Sequence, residues 1–357
     1  MSDIPVDIDE LSPYQQRALL VHLLQEKAGK PRVFPVSFAQ QRLWLIDQLE
    51  VNNTAYNIPV VVRLDGSLNV IAFKQSIDEI VRRHEVLRTT FTTIDGQPAQ
   101  VVAPSLNLTL PIVDLRDLPY TDREVQAHQL AIKEMQTPFN LSEGPLLRVT
   151  LLYLHEKEQV VLFTMHHIIS DGWSMDLLIH EVVVIYRAFL DGKPSPLPEL
   201  PIQYVDFAQW QRERLQGDLL QEQLSYWQCQ LTGAPTMLEL PTDRSRPVRQ
   251  TFNGANQSLL LPNKLKVELR ALSLNERATL FMTLLAAFNV LLFRYTGQQV
   301  ILVGSPIANR NHREIEDLIG FFVNTLILRT DITGELSFHQ LLAQVKEVAL
   351  GAYAHQD

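Results

Sequence analysis

Cysteine is almost missing from this chain: Cys229 is the single one among 357 residues. One thiol excludes an internal disulfide and a thiolate metal cluster, and suits a reducing compartment. No export signal is expected either. Residues 1–11, MSDIPVDIDEL, are acidic and lack the basic start and apolar run that such a signal needs. Long hydrophobic runs are also absent. The most apolar stretch, Phe281–Phe293, contains Asn289, ends at Arg294, and falls short of the ~20 residues that cross a bilayer. Positive charge is in deficit: 31 Lys and Arg against 40 Asp and Glu give a net charge of −9. That balance argues against a protein that tracks nucleic-acid phosphates. These absences predict a soluble, cytoplasmic protein with neither membrane nor nucleic acid as a partner.

What is present fits a globular enzyme-sized chain. Hydrophobic residues make up 46% and charged residues 20%, an ordinary balance. The length allows two core-sized units, since single cores rarely grow far past ~250–300 residues. Ser12, Pro13 and Gln15 form a capping pattern ahead of Leu19, Leu20, Leu23 and Leu24, predicting a short amphipathic helix within residues 1–30. Ser37 with Gln40 repeats that device and predicts a helix to Leu49. Further on come a strand at Pro59–Leu64, a helix at Val70–Val81, and a hairpin in which Leu87–Ile94 and Gln97–Val102 flank Asp95-Gly96. A helix at Thr121–Gln136 precedes paired strands Leu146–Leu154 and Val160–Met165, and a helix follows over Met175–Phe189.

Lys193–Pro201 carries four prolines, too many for a regular element, and reads as a stiff connection between two halves. Beyond it the pattern predicts helices within Val205–Leu231, a strand at Gln257–Leu261, and helices at Lys264–Ser273 and Thr279–Tyr295. Strands at Val300–Ser305 and Phe321–Thr330 come next, then a helix from Phe338 towards Tyr353. Helices and strands alternate in both halves, so the expected class is α/β. The expected division is 1–30 as a linker or docking helix, 31–192 as a first lobe, 193–203 as connection, and 204–357 as a second lobe.

The chemistry concentrates at one strand–loop–helix junction, His166-His167-Ile168-Ile169-Ser170-Asp171-Gly172-Trp173-Ser174. Adjacent side chains at a strand end face opposite ways, so one of the two histidines serves a given cleft. An imidazole suits proton transfer near neutral pH. Asp171 supplies a carboxylate for ordering, and Gly172 supplies backbone freedom and an N–H able to meet an oxyanion. For the His pair alone a structural role outweighs a catalytic one, and two His with one Asp make a thin metal-ligand set. No serine or cysteine sits in a nucleophile-elbow context, so a covalent acyl-enzyme is not indicated.

His166–Gly172 resembles the HHxxxDG signature of the condensation domains of non-ribosomal peptide synthetases, a signature shared by acyltransferases of the chloramphenicol acetyltransferase type. Four more runs resemble condensation-domain motifs in the expected order: Ser37–Trp44 (SFAQQRLW), Arg83–Phe91 (RHEVLRTTF), Tyr204–Trp210 (YVDFAQW) and Ile319–Leu326 (IGFFVNTL). On residue pattern alone, the first is a capped helix and Tyr204, Phe207 and Trp210 are core. Asn324, between Phe322 and Leu326, needs a hydrogen-bond partner or borders a cavity. The resemblance covers nearly the whole chain from about residue 33. It implies two chloramphenicol-acetyltransferase-like lobes arranged in a V as a pseudo-dimer. The chain stops at His355-Gln356-Asp357, which resembles the start of a sixth motif, so the second lobe is expected to be incomplete.

That family joins a donor aminoacyl or peptidyl thioester to the amine of an acceptor aminoacyl thioester. Both are carried on 4′-phosphopantetheine arms by upstream and downstream peptidyl carrier proteins, beside an adenylation domain, and no cofactor is expected to bind directly. On this resemblance His167 either accepts a proton from the attacking amine or holds that amine by a hydrogen bond, Gly172 offers its N–H, Asp171 is structural, and His166 lies next to them. Arg310 and Arg88 are both open as the partner of Asp171; Arg83, Trp173, Ser174, Asn324, Tyr204 and Trp210 are expected in support. Ile168-Ile169-Ser170, Trp173-Ser174 and Ala55–Pro59 resemble the subtype that joins an L-donor to an L-acceptor. An epimerisation domain, a coenzyme-A-dependent acyltransferase of the same fold, and a non-catalytic docking fragment are the alternatives.

Overall fold

The computed structural model describes residues 29–50, 52–248, 250–252 and 254–357. The helix expected after Ser12 lies outside the described residues. Among the described residues no single helix is long and apolar enough to cross a membrane. Helices and strands mix throughout, in two compact units. The first runs through Arg212 and also takes in Arg310–Phe322. The second comprises Glu213–Asn309 and Val323–Asp357.

The first unit holds two sheets. Strands β1 (Arg32–Pro35), β3 (Thr89–Ile94) and β4 (Gln97–Val102) form one, in the order β1-β4-β3. Its hairpin turns at Asp95 and Gly96, whose φ values of 50° and 77° are the left-handed pair that a two-residue turn between twisted strands requires. The second sheet, in the order β2-β7-β6-β5, consists of β2 (Asn57–Asp65), β5 (Ile112–Asp114), β6 (Leu147–His155) and β7 (Glu158–His166). Every β7 residue after Glu158 is buried, which explains its nearly continuous apolar run.

Helices α1 (Phe38–Leu49), α2 (Val70–Arg83), α3 (Tyr120–Met135) and α4 (Gly172–Leu190) belong to this unit, and α2 packs along α4. The Ser37 capping box forms in full: the side chain accepts from the Gln40 N–H, and the Gln40 side chain accepts from the Ser37 N–H. The 193–201 connection carries no helix or strand and lies within the first unit, as does most of α5 (Tyr204–Arg214).

The second unit contains α6 (Gly217–Leu231), α7 (Asn263–Asn275), α8 (Leu280–Thr296), α9 (Phe338–Ala354), and the antiparallel pair β8 (Val300–Ile307) and β9 (Asn324–Asp331). Its core joins Met282, Leu285 and Ala286 of α8 to Leu326 and Leu328 of β9 and to Leu341, Leu342 and Val345 of α9.

The helices expected within 205–231 form as two, parted at Gly217, which adopts a left-handed φ of 55° after Gln216. Two expectations need correction. Gln257–Leu261 is not a strand: Leu259 and Leu260 are 85% and 94% exposed, with no neighbouring strand to pair with among the described residues. The strand expected from Phe321 begins only at Asn324, since the backbone before it is bonded to side chains instead of to β8.

Candidate functional site

The two histidines part company where β7 ends. His166 closes the strand opposite Asn57 of β2, and His167 opens a single 3-10 turn through Ile169. The His166 ring is buried against Phe139 and Tyr56, and its Nδ1 accepts the Ile168 N–H at 3.1 Å. Burial, helped by the neighbouring His167, lowers its pKa to about 4, so this ring is neutral at physiological pH.

His167 is half-buried. Its Nδ1 lies 2.7 Å from the Ser170 carbonyl oxygen. A carbonyl can only accept, so Nδ1 carries the proton and Nε2 keeps the lone pair in the neutral ring. The Phe321 ring meets the imidazole edge-on, with centroids 4.7 Å apart at 63°.

Asp171 caps helix α4 and is 1% exposed. Its Oδ1 accepts from the Ser174 N–H at 2.9 Å, the Ser174 hydroxyl at 2.7 Å and Arg310 Nη2 at 3.2 Å. Its Oδ2 accepts the Phe322 N–H at 3.1 Å. Of the two arginines left open as its partner, Arg310 is the one that reaches it. Arg88 is turned to the Ala103 carbonyl and Glu85. Arg310 also donates through Nη1 to the Ile315 and Leu318 carbonyls, and its guanidinium lies 4.1 Å from the Phe322 ring centroid. Burial pulls its pKa down while Asp171 pushes it up. The ordinary arginine value is so high that it stays charged.

Gly172 occupies the first turn of α4. Its φ is not left-handed, and a Cβ there would meet no atom within 4 Å. The freedom expected of this glycine is therefore not used locally. What its missing side chain provides is open space in front of the helix N-terminus. Among the described residues its N–H has no acceptor, as befits the first helical position.

The supporting residues divide. Trp173 donates from Nε1 to the Glu316 carbonyl, and Ser174 Oγ accepts the Gly320 N–H at 3.0 Å. Tyr204, 1% exposed, donates to the Phe321 carbonyl at 2.6 Å and meets Ser37 Oγ at 2.8 Å. Trp210 instead lines a cavity of about 310 Å³ with Ile202, Phe207, His312 and Ile315. Asn324, in the second unit, donates to the Gln356 carbonyl and accepts from Thr325.

Arg83 leads to a buried cluster that sequence reasoning missed. Its Nε donates to Glu181 Oε1 at 3.1 Å, and His84 Nε2 lies 2.8 Å from Glu181 Oε2. The Ile319 N–H points at His84 Nδ1 at 3.4 Å. Nδ1 thus accepts, and Nε2–H donates to the carboxylate. Burial depresses the His84 pKa despite Glu181, keeping the ring neutral. Burial works to raise Glu181, but the bonds from His84 and Arg83 outweigh it and leave the carboxylate low. A neutral His84 against an ionised Glu181 reconciles both shifts. The signal was present in the sequence. Glu181 stands seven residues after Ser174 on a stripe with Met175, Leu178, Val182 and Ile185, where an acid needs a buried partner.

Comparison with protein families matches residues 30–357 to the model described as the condensation domain. One of the proteins that make up the linear gramicidin synthase of Brevibacillus parabrevis is 53% identical over 323 residues, which are 90% of this chain and 6% of that protein. Two further proteins of the same synthase are each 51% identical, and the chain spans 4% and 6% of their lengths. Among solved structures, the X-domain from teicoplanin biosynthesis matches with a TM-score of 0.82 and 27% identity, over 92% of this chain and 72% of that one. A four-domain nonribosomal peptide synthetase bound to AMP and glycine matches at 0.80 and 25% identity, over 92% of this chain and 24% of that one.

Proposed function

The chain belongs to the condensation domain family, and on that premise we propose that it joins a donor aminoacyl or peptidyl thioester to the amine of an acceptor aminoacyl thioester. Condensation domains of these synthetases are amide-bond-forming enzymes of the acyltransferase type. The observation that carries the reading here is the His167 ring, whose Nδ1–H is committed to the Ser170 carbonyl while Nε2 keeps its lone pair.

In this reading the acceptor nitrogen attacks the donor thioester carbonyl carbon. The C–N bond forms, the C–S bond breaks, and the departing thiolate remains on the donor carrier. His167 Nε2 takes the proton that the attacking nitrogen sheds, and the thiolate is where that proton ends. The Gly172 N–H, without an acceptor of its own, is the donor assigned to the tetrahedral oxyanion. Asp171 is structural: four donors, one of them a buried arginine, hold it where it anchors the loop. Holding two thioesters in line is the larger contribution, since oriented intramolecular reactions gain ~7–11 kcal/mol. General-base help adds ~10²–10⁴-fold.

The partners in this reading are an upstream donor and a downstream acceptor carrier protein, each presenting 4′-phosphopantetheine, with an adenylation domain adjacent, in the cytoplasm. The donor is read as L-configured from the residues flanking Asp171 and Gly172. The test loads both carriers with defined aminoacyl groups, adds the full-length synthetase, and looks for dipeptidyl thioester by mass spectrometry. His167→Ala is expected to cut the rate within the ~10²–10⁴-fold range. An unchanged rate would remove His167 from the chemistry, and racemised substrate without dipeptide would point to epimerisation.

A further inference from the structure

We propose that Phe321 is a positioning residue for His167, and that the backbone strap Ile319–Phe322 exists to hold it there. The proposal rests on the reading of His167 given above. The strap belongs to no helix or strand. Its backbone is suspended on side chains from three other places in the first unit. From the C-cap of α2, His84 Nδ1 accepts the Ile319 N–H. From the start of α4, Ser174 Oγ accepts the Gly320 N–H at 3.0 Å and Asp171 Oδ2 accepts the Phe322 N–H at 3.1 Å. From α5, the Tyr204 hydroxyl donates to the Phe321 carbonyl at 2.6 Å.

All these side chains are buried, so the strap has no slack. What it presents is the Phe321 ring, edge-on to the His167 imidazole at 4.7 Å. Among the described residues the imidazole has one hydrogen-bond anchor, at Nδ1. The ring still turns about its Cβ–Cγ bond as far as that hydrogen bond gives, and a second contact narrows the direction of the Nε2 lone pair. Phe321, 3% exposed, supplies it. Edge-to-face aromatic pairs are worth enough to bias an orientation by roughly 2–10-fold.

The experiment is a double-mutant cycle in the full-length synthetase with carrier-loaded substrates. Phe321→Leu and Phe321→Met keep an apolar group of similar volume, so the fold is kept while the ring is lost. Either is expected to lower kcat roughly 2–10-fold, with KM for the carrier-bound acceptor unchanged. On a His167→Ala background the same substitutions are expected to have no further effect, because the group they position is gone. A merely structural role would lower the rate equally on both backgrounds, and that result overturns the proposal. So does a native kcat in both Phe321 variants while His167→Ala is impaired. A rate unaffected by His167→Ala sinks the function reading, and the proposal with it.

Discussion

Gly320 offers the sharpest test of the packing. A Cβ built there would lie 2.0 Å from Tyr204 Cδ2, 2.5 Å from Tyr204 Cε2 and 2.9 Å from Phe322 Cε2. No flexible chain end can swing away, because the obstacle is a ring pinned at its far end. The Tyr204 hydroxyl is bonded to the Phe321 carbonyl and to Ser37, and its ring packs on Phe207 and Phe322. Gly320→Ala must therefore move the ring or the strap. Overpacking of this kind costs ~1–3 kcal/mol. Losing the Tyr204 bonds leaves a buried polar group unpaired, at a further ~1–3 kcal/mol. The sum is about 2–6 kcal/mol. Urea denaturation should show a lower midpoint with an unchanged slope, and amide exchange should speed up across Ile319–Phe322. Tyr204→Ala removes the two nearest obstructing atoms and leaves Phe322 Cε2 at 2.9 Å, so on that background Gly320→Ala should cost clearly less than it does alone. A Gly320→Ala protein as stable as the native one, or costs that simply add, would refute the steric argument.

Other expectations follow from the site. Arg310→Met leaves Asp171 charged and buried without its cation, and should destabilise the first unit by ~3–5 kcal/mol in thermal or urea unfolding. His166 has a folded pKa of about 4 against an ordinary ~6.5, so the unfolded state binds the extra proton. Its contribution is intact above pH ~6.5 and is lost as pH falls towards 4, amounting to on the order of 3 kcal/mol. Unfolding measured across that window should show a slope that His166→Gln flattens. Gly172→Ala meets open space, so stability should change by no more than ~1 kcal/mol while dipeptide formation falls; equal activity would deny Gly172 its role.

Local devices were legible in the sequence because their partners are near in the chain. Ser37 and Gln40 sit three residues apart, and their capping box formed as written. Asp95-Gly96 turned where the pattern placed it. The end of β7 fell within a residue of the expected boundary, since a fully buried strand leaves a continuous apolar run. Gln257–Leu261 misled for the opposite reason. Its apolar residues fit a strand, but a strand needs a neighbour, and periodicity does not supply one.

The strap shows why the candidate site was only half readable. Ile319, Gly320, Phe321 and Phe322 belong to one motif run, and by pattern Phe321 and Phe322 fit the start of a strand. What fixes them is His84, Asp171, Ser174 and Tyr204, which lie from 117 to 235 positions away. No periodicity reports such a contact. The composition of the motif does report its requirements once the geometry is known. A glycine stands where the Tyr204 ring leaves no room for a Cβ, and a phenylalanine stands where the His167 ring needs an apolar edge. The resemblance located the residues and implied an arginine beside Asp171, leaving Arg310 and Arg88 both open. The choice of Arg310 over Arg88 depended on which segment the fold folds back onto the N-terminus of α4, a long-range fact that only the packed chain contains.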